Sequence, residues 1–256
     1  MSKFSMTIPS GTTRTFPTAG KYCDKDISIT ATGGNYDKGV TDGIEAGKQA
    51  EYDAFWDMYQ QNGERKEYSY AFAGEGWNDT TFQPKYSIAP TKTVHMFSAS
   101  HITDLVNLLK DAGIDFDLSK DISAQYLVQG NSYLQTLPVL DCTSKQHINY
   151  FLYEATVLRS IEKLILKDDG SQKFNTYSFY KLPALEEIRF AGTIGNSLEI
   201  KDSPVLSDAS VQSIIDHLKD LTGATAQTLT LHATVGANMT DEQKAAITAK
   251  NWTLVY

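Results

Sequence analysis

Leu158-Arg-Ser-Ile161-Glu-Lys-Leu164-Ile-Leu166 and Leu185-Glu-Glu-Ile188-Arg-Phe190 decide how the C-terminal part of this sequence is read. In each, a leucine is followed at i+3 by apolar residues, and a two-residue spacing ends the line. That spacing puts alternate side chains on one face of an extended strand. Related lines occur at Ile102-x-x-Leu105, Leu134-x-x-Leu137-x-Val139, Ala226-x-x-Leu229-x-Leu231 and Ala249-x-x-Trp252-x-Leu254. Short segments precede four of these lines: Met96-Phe97, Tyr126-Leu127, Phe151-Leu152 and Ser178-Phe179. Their second members lie 30, 25 and 27 residues apart.

Self-similarity at such a period is the mark of stacked repeats, since one repeat cannot bury its apolar face alone. The expected fold class is α+β: a small N-terminal β-module and helix, then an irregular leucine-rich-repeat solenoid over residues 96–256 with a C-terminal cap. Leu137, Leu164, Leu166, Ile188, Phe190, Leu229 and Leu231 are expected on stacked strands. Three helices should punctuate them. Ser100 opens one with Ile102, Leu105, Val106 and Leu109 on a stripe, ended by Gly113. Ser207 or Asp208 opens another carrying Val211, Ile214, Ile215, Leu218 and Leu221, ended by Gly223. Thr240-Asp-Glu-Gln243 has capping-box spacing and starts the last, and Asn251–Tyr256 adds a closing strand.

Leucine usage suggests where other regions begin. All 21 leucines lie at or after Leu105, which points to two differently built regions with a junction near residues 90–100. Residues 1–33 read as a small β attachment module. Phe4, Met6 and Ile8 alternate with polar residues, as do Ile27, Ile29 and Ala31, a half-buried strand signal. Residues 34–62 read as a Gly-patterned oligomerisation helix. Gly39, Gly43 and Gly47, then Ala50 and Ala54, fall near one side, and Tyr52, Phe55, Trp56 and Tyr59 form a stripe. Glycine costs a helix roughly 1 kcal/mol each against alanine, so a close neighbouring backbone is expected there. A homo-oligomer built through residues 1–62 is expected. Residues 63–95 read as an aromatic-rich connector. Twelve aromatics occupy positions 36–97, either as the core of a leucine-free domain or as a carbohydrate-stacking surface.

The chain of 256 residues has a net charge of −8, which disfavours tracking of phosphates, and no nucleic-acid partner is expected. No apolar run is long enough to span a bilayer. The start, Met1-Ser-Lys-Phe-Ser-Met-Thr-Ile-Pro9, has no apolar h-region, so no signal peptide is expected. Cys23 and Cys142 are too few for a disulfide scaffold and too distant in sequence for a metal pair.

No catalytic or cofactor constellation stands out. His95, His101, His147, His217 and His232 include no pair at i and i+4. Asp24-x-Asp26, Asp115-x-Asp117 and Asp168-Asp169-Gly170 lack the ligand run of a calcium loop and read as turn carboxylates. A glycosidase would need two carboxylates facing each other across a cleft. Ser160-Ile-Glu-Lys163 matches a penicillin-binding pattern without its companion motifs. Asn78, Asn238 and Asn251 begin glycosylation sequons. No catalytic residue, metal or cofactor is assigned, and the ligand-binding residues stay open.

Several segments resemble known proteins. Lys3–Ala31, with Ile8-Pro-Ser-Gly11 and Gly20-Lys-Tyr-Cys-Asp-Lys-Asp26, is similar to an N-terminal module of tail proteins in phages and prophages of Gram-positive gut bacteria. Gly47-Lys-Gln-Ala-Glu-Tyr-Asp-Ala-Phe-Trp-Asp57 with Gln61-Asn-Gly63, and Phe82-Gln-Pro-Lys-Tyr86 with Pro90, resemble following segments of the same proteins. Leu221-Thr-Gly-Ala-Thr-Ala-Gln-Thr-Leu-Thr-Leu231, with Thr240–Ile247 and Asn251–Leu254, looks like their leucine-rich-repeat ending of the BspA-like type. The resemblance implies a virion structural protein of the tail tip, baseplate or fibre, assembled in the host cytoplasm. Its expected partners are itself, as a trimer by analogy with tail fibres, other tail proteins, and a host cell-surface protein or glycan. Two alternatives remain: an intracellular or non-classically exported repeat protein that binds a host protein, and a tail-associated glycan hydrolase.

Overall fold

A computed structural model describes strands Lys3–Thr7, Thr13–Pro17 and Ile27–Thr30, and the chain from Tyr68 onward except 69–70, 75, 83, 85–87, 91 and 124. The chain divides into two compact units, Met1–Arg65 and Lys66–Tyr256.

In the first unit, β1 (Lys3–Thr7), β2 (Thr13–Pro17) and β3 (Ile27–Thr30) form one sheet in the order β2-β1-β3. β1 runs antiparallel to β2 and parallel to β3. The Gly39/Gly43/Gly47 face, the aromatic stripe of 34–62, Cys23, Asp24 and Asp26 lie outside the described residues.

The division after Arg65 differs from the junction near 90–100 that leucine usage suggests. Tyr68, Phe72 and Phe82 are buried with the second unit's core. The Phe72 ring stacks on Phe97 at 5.4 Å and meets Phe82 edge-on at 4.9 Å and Trp77 at 5.2 Å. From Lys66 on, the segment set apart as a connector is therefore part of the second unit. Its end of the core is filled with rings rather than leucine, so residue usage changes where the unit does not.

The second unit contains α1 (Leu105–Ala112), β4 (Thr136–Asp141), β5 (His147–Ile148), β6 (Ser160–Ile165), β7 (Lys173–Phe174), β8 (Glu187–Ala191) and β9 (Leu198–Ile200). Then follow α2 (Asp208–His217), β10 (Gln227–Leu231), α3 (Ala233–Asn238), α4 (Asp241–Ala249) and β11 (Trp252–Val255).

These elements do not make the leucine-rich-repeat solenoid expected over 96–256. The parallel strands break into separate small sheets, β4-β6-β8, β5-β7 and β11-β10-β9. One reason lies at β8. The Ile188 N–H donates to Ser210 Oγ and the Phe190 N–H to Ser213 Oγ, both at 2.9 Å. Helix α2 thus occupies the edge where a next strand would pair. A second reason is the side-chain phase. β4 buries Leu137 and Leu140 and exposes Val139; β6 buries Ile161 and Leu164 and exposes Glu162 and Lys163. Two exposed residues between buried ones are not an alternating line, and the register shifts between Ile161 and Leu164 against β8. Leu166, although buried, falls outside a strand.

Two helix boundaries also move. The N-cap of α1 is Asp104, whose Oδ1 accepts from the Asn107 N–H. Ser100 is buried and its Oγ accepts from Asn131 Nδ2, so it is engaged elsewhere. Helix α2 starts at the Ser207 cap and stops at His217, short of Gly223, because Leu218 turns extended and pairs with Ile194. Thr240 and Gln243 form both hydrogen bonds of a capping box at the start of α4.

Polar side chains tie successive turns together inside the unit. Gln172 Nε2 donates to the carbonyls of Cys142 and Lys145. Asn196 Nδ2 donates to Gly170 and Gln172, and Asn251 Nδ2 to Leu221 and Ala224. The carbonyls that Gln172 meets are buried and would otherwise be unpaired.

Candidate functional site

Four short stretches line up when the chain is aligned by its backbone: His95-Met-Phe-Ser-Ala99, Tyr126-Leu-Val-Gln-Gly130, Tyr150-Phe-Leu-Tyr-Glu154 and Tyr177-Ser-Phe-Tyr-Lys181. His95, Tyr126 and Tyr150 open their stretches in the left-handed region, at φ 56°, 57° and 53°. Ala99, Gly130, Glu154 and Lys181 close theirs there, at φ 52°, 63°, 58° and 55°. For a residue with a Cβ that region costs about 1–2 kcal/mol, and contacts between the stretches offset it. The Phe97 N–H donates to the Leu127 carbonyl at 2.8 Å, Tyr126 to Tyr150 at 2.9 Å, and Leu152 to Ser178 at 3.0 Å. The second and third residues of every stretch are buried. The first residues are held at the surface, one above the next.

Their rings form a ladder. His95 stacks on Tyr126 at 4.7 Å, Tyr126 on Tyr150 at 4.8 Å, and Tyr150 on Tyr177 at 5.1 Å, with interplanar angles of 5°, 28° and 7°. A second column starts beside it, where Tyr153 stacks on Tyr180 at 5.2 Å. The columns meet edge to face: Tyr153 stands at 80° to Tyr126 and Tyr180 at 79° to Tyr177. Offset and edge-to-face pairs are the favoured arrangements of aromatic quadrupoles. Tyr177 is 40% exposed and the other five rings are half-buried. Lys181 Nζ bonds Glu154 Oε1 at 2.7 Å and sits 5.1 Å from the Tyr180 ring centre. Burial holds the His95 imidazole below its ordinary value and the Tyr126 hydroxyl above its own.

The remaining candidates lie apart from this strip. Asp117 and Asp169 are turn carboxylates whose oxygens accept from the N–H groups of Ser119 and Ser171. Those hydrogen bonds hold both carboxyls below the usual range, the opposite of what a general acid needs. Ser160 and Lys163 lie on β6, with Lys163 exposed. His101 packs on Tyr133 at 4.1 Å, His147 is exposed on β5, His217 Nδ1 is 2.7 Å from the Ser213 carbonyl, and His232 caps α3. Cys142 is buried and its thiol is pushed up to about 12, chiefly by burial. Among the described residues no three His, Cys, Asp or Glu come together as a metal-binding group, and no helix is long and apolar enough to cross a membrane.

The ladder has a signal in the sequence: an aromatic ring stands immediately before each buried pair. Grouping Tyr126 with Leu127 as the pair, instead of Leu127 with Val128, shifts that stretch by one residue and hides the column. Between residues 68 and 97, Tyr68, Phe72, Phe82 and Phe97 are buried, Trp77 is half-buried, and His95 starts the ladder. No family of known proteins, no curated protein and no solved structure matches this chain.

Proposed function

We propose that this chain is a recognition protein that binds a cell surface without catalysing a reaction. In the setting implied by its resemblance to phage tail proteins, it is a virion structural protein of the tail tip, baseplate or fibre. The observation that carries the recognition role is the ladder of His95, Tyr126, Tyr150 and Tyr177 with its second column, Tyr153 and Tyr180. Rings of this kind supply large contact area at small cost in side-chain entropy, which is why Tyr recurs at recognition surfaces. Their backbone is hydrogen-bonded from one turn to the next, so the surface is organised before a partner arrives. Asp117 and Asp169 support a binding role over hydrolysis, because each is engaged with its own turn.

The Met1–Arg65 unit is assigned attachment to other tail proteins and self-association, on the strength of the Gly39/Gly43/Gly47 pattern beside an aromatic stripe. Several copies on one particle would raise a weak single-site affinity by about 10²–10⁴ where geometry lets them engage together.

Labelled full-length protein is incubated with a panel of Gram-positive gut bacteria while reducing sugar is followed. The expected outcome is attachment to some strains and not others, with no sugar released. Uniform attachment or none removes the recognition role, and sustained sugar release replaces it with hydrolysis.

A further inference from the structure

From the geometry of the ladder we propose that it binds a neutral, extended polysaccharide, one sugar ring after another along the strip; this rests on the recognition role above. The argument begins with ring spacing. Carbon atoms in contact are ~3.5–4.0 Å apart. Near-parallel rings with centres 4.7 and 5.1 Å apart, as for His95–Tyr126 and Tyr150–Tyr177, are too far apart for full face-to-face contact, being either slipped or held open by the spacing of the turns. Each ring stays partly uncovered, and the ladder presents ring surface at regular steps. The axial C–H face of a pyranose packs on such a surface, while its hydroxyl groups need donors and acceptors at the edges.

Those edges are present. Five of the six rings are tyrosines, whose hydroxyls both donate and accept. A purely apolar partner would leave the hydroxyls without hydrogen bonds at a cost. Charge narrows the choice further. The net charge is −8, and two cations beside the strip, Lys181 and Lys201, are paired with Glu154 and Glu199 at 2.7 and 2.5 Å. An acidic polymer would meet no unpaired positive group among the described residues lining the strip. Repetition favours a polymer over a single sugar: steps of 4.7, 4.8 and 5.1 Å recur along one column, and a repeating ligand can occupy successive steps alike.

Two measurements test this. In native affinity gels, full-length protein is run through neutral glucan, mannan, galactan and rhamnan, with polygalacturonate and hyaluronate as acidic counterparts. Retardation by at least one neutral polymer and by neither acidic one is expected. Tyr177→Ala and Tyr150→Ala should each raise the dissociation constant about tenfold, a typical loss for one stacking contact. Tyr177→Phe keeps the ring and should lose less; the exposed Lys163→Ala should change nothing. Unchanged Tm for Tyr177→Ala separates lost contact from lost fold. No retardation, equal retardation of the Tyr177 variants and the native chain, or a preference for acidic polymers overturns the proposal.

In the second measurement, cells that bind the protein are treated with periodate, which cleaves vicinal diols of sugars, or with protease. Attachment lost to periodate and kept after protease is expected. Attachment kept after periodate and lost to protease overturns the polysaccharide while leaving the recognition role, with a protein as receptor. Retardation in gels without attachment to any cell keeps the polysaccharide site and removes host recognition.

Discussion

Lys145 Nζ lies 3.7 Å from Asp121 Oδ2, and both side chains are shut away from solvent. The pair is woven into the polar contacts between turns. Thr93 Oγ1 donates to Asp121 Oδ2 and the Ser123 N–H to its Oδ1, while Lys145 Nζ reaches the carbonyls of Leu118 and Asp141 at 3.4 Å. Removing one member of a buried pair strands the other charge at a cost of ~3–5 kcal/mol, whereas replacing both with apolar residues is often neutral or stabilising. Lys145→Met alone should destabilise the chain by ~3–5 kcal/mol, and Lys145→Met with Asp121→Leu should recover much of that loss. Urea titration of both variants decides; a double variant that loses as much as the single one, or more, would show that a stranded charge is not the source of the loss.

Leu140 and Val139 separate the observed side-chain phase from an alternating one. Leu140 is fully buried and Val139 is 37% exposed. Leu140→Ala should cost ~2–5 kcal/mol, as core truncations do, and Val139→Ala within about 0.5 kcal/mol, as surface changes do. The same contrast holds between Leu164→Ala and Lys163→Ala, for Leu164 is buried and Lys163 is not. Chemical denaturation reads all four, and a larger loss at Val139 than at Leu140 would reverse the assignment.

Gly192 and Gly223 share a left-handed backbone, at φ 78° and 81°, but not their surroundings. A Cβ on Gly192 would sit 2.1 Å from the Leu166 carbonyl oxygen, while one on Gly223 would meet nothing within 4 Å. Gly223→Ala should cost only the backbone penalty of about 1–2 kcal/mol. Gly192→Ala adds a collision with backbone and should lower Tm much further. Similar Tm values for the two would mean that the turns can move apart freely.

The Cys142 thiol should resist alkylation in the folded chain. With its pKa pushed up to about 12 by burial, the thiolate fraction at pH 8 is about one in 10⁴, against about one in four for an ordinary cysteine. Peptide mapping after iodoacetamide treatment should find Cys142 unmodified in native protein and fully modified in urea. Rapid labelling without denaturant would show that this part of the core opens readily.

Short-range signals were legible from the residues alone. The Thr240–Gln243 capping box, the Ser207 cap and the alternation of Phe4 with Met6 and Ile27 with Ile29 depend on neighbours within a few positions. The helices and strands appear there. The inward-facing Ile188 and Phe190 belong to the same class, since β8 keeps strict alternation. Tertiary contacts decided the rest. Ser210 and Ser213 end a sheet only because α2 folds back on β8, and nothing in their own sequence announces it. Leu140 faces inward because β4 pairs with β6 in a register that puts Val139 opposite the exposed Lys163. The aromatic strip needs four stretches far apart in the chain to stop in the same left-handed conformation and hydrogen-bond in line. Each tyrosine is an ordinary turn residue by itself; the column exists because hydrogen bonds between turns set its register.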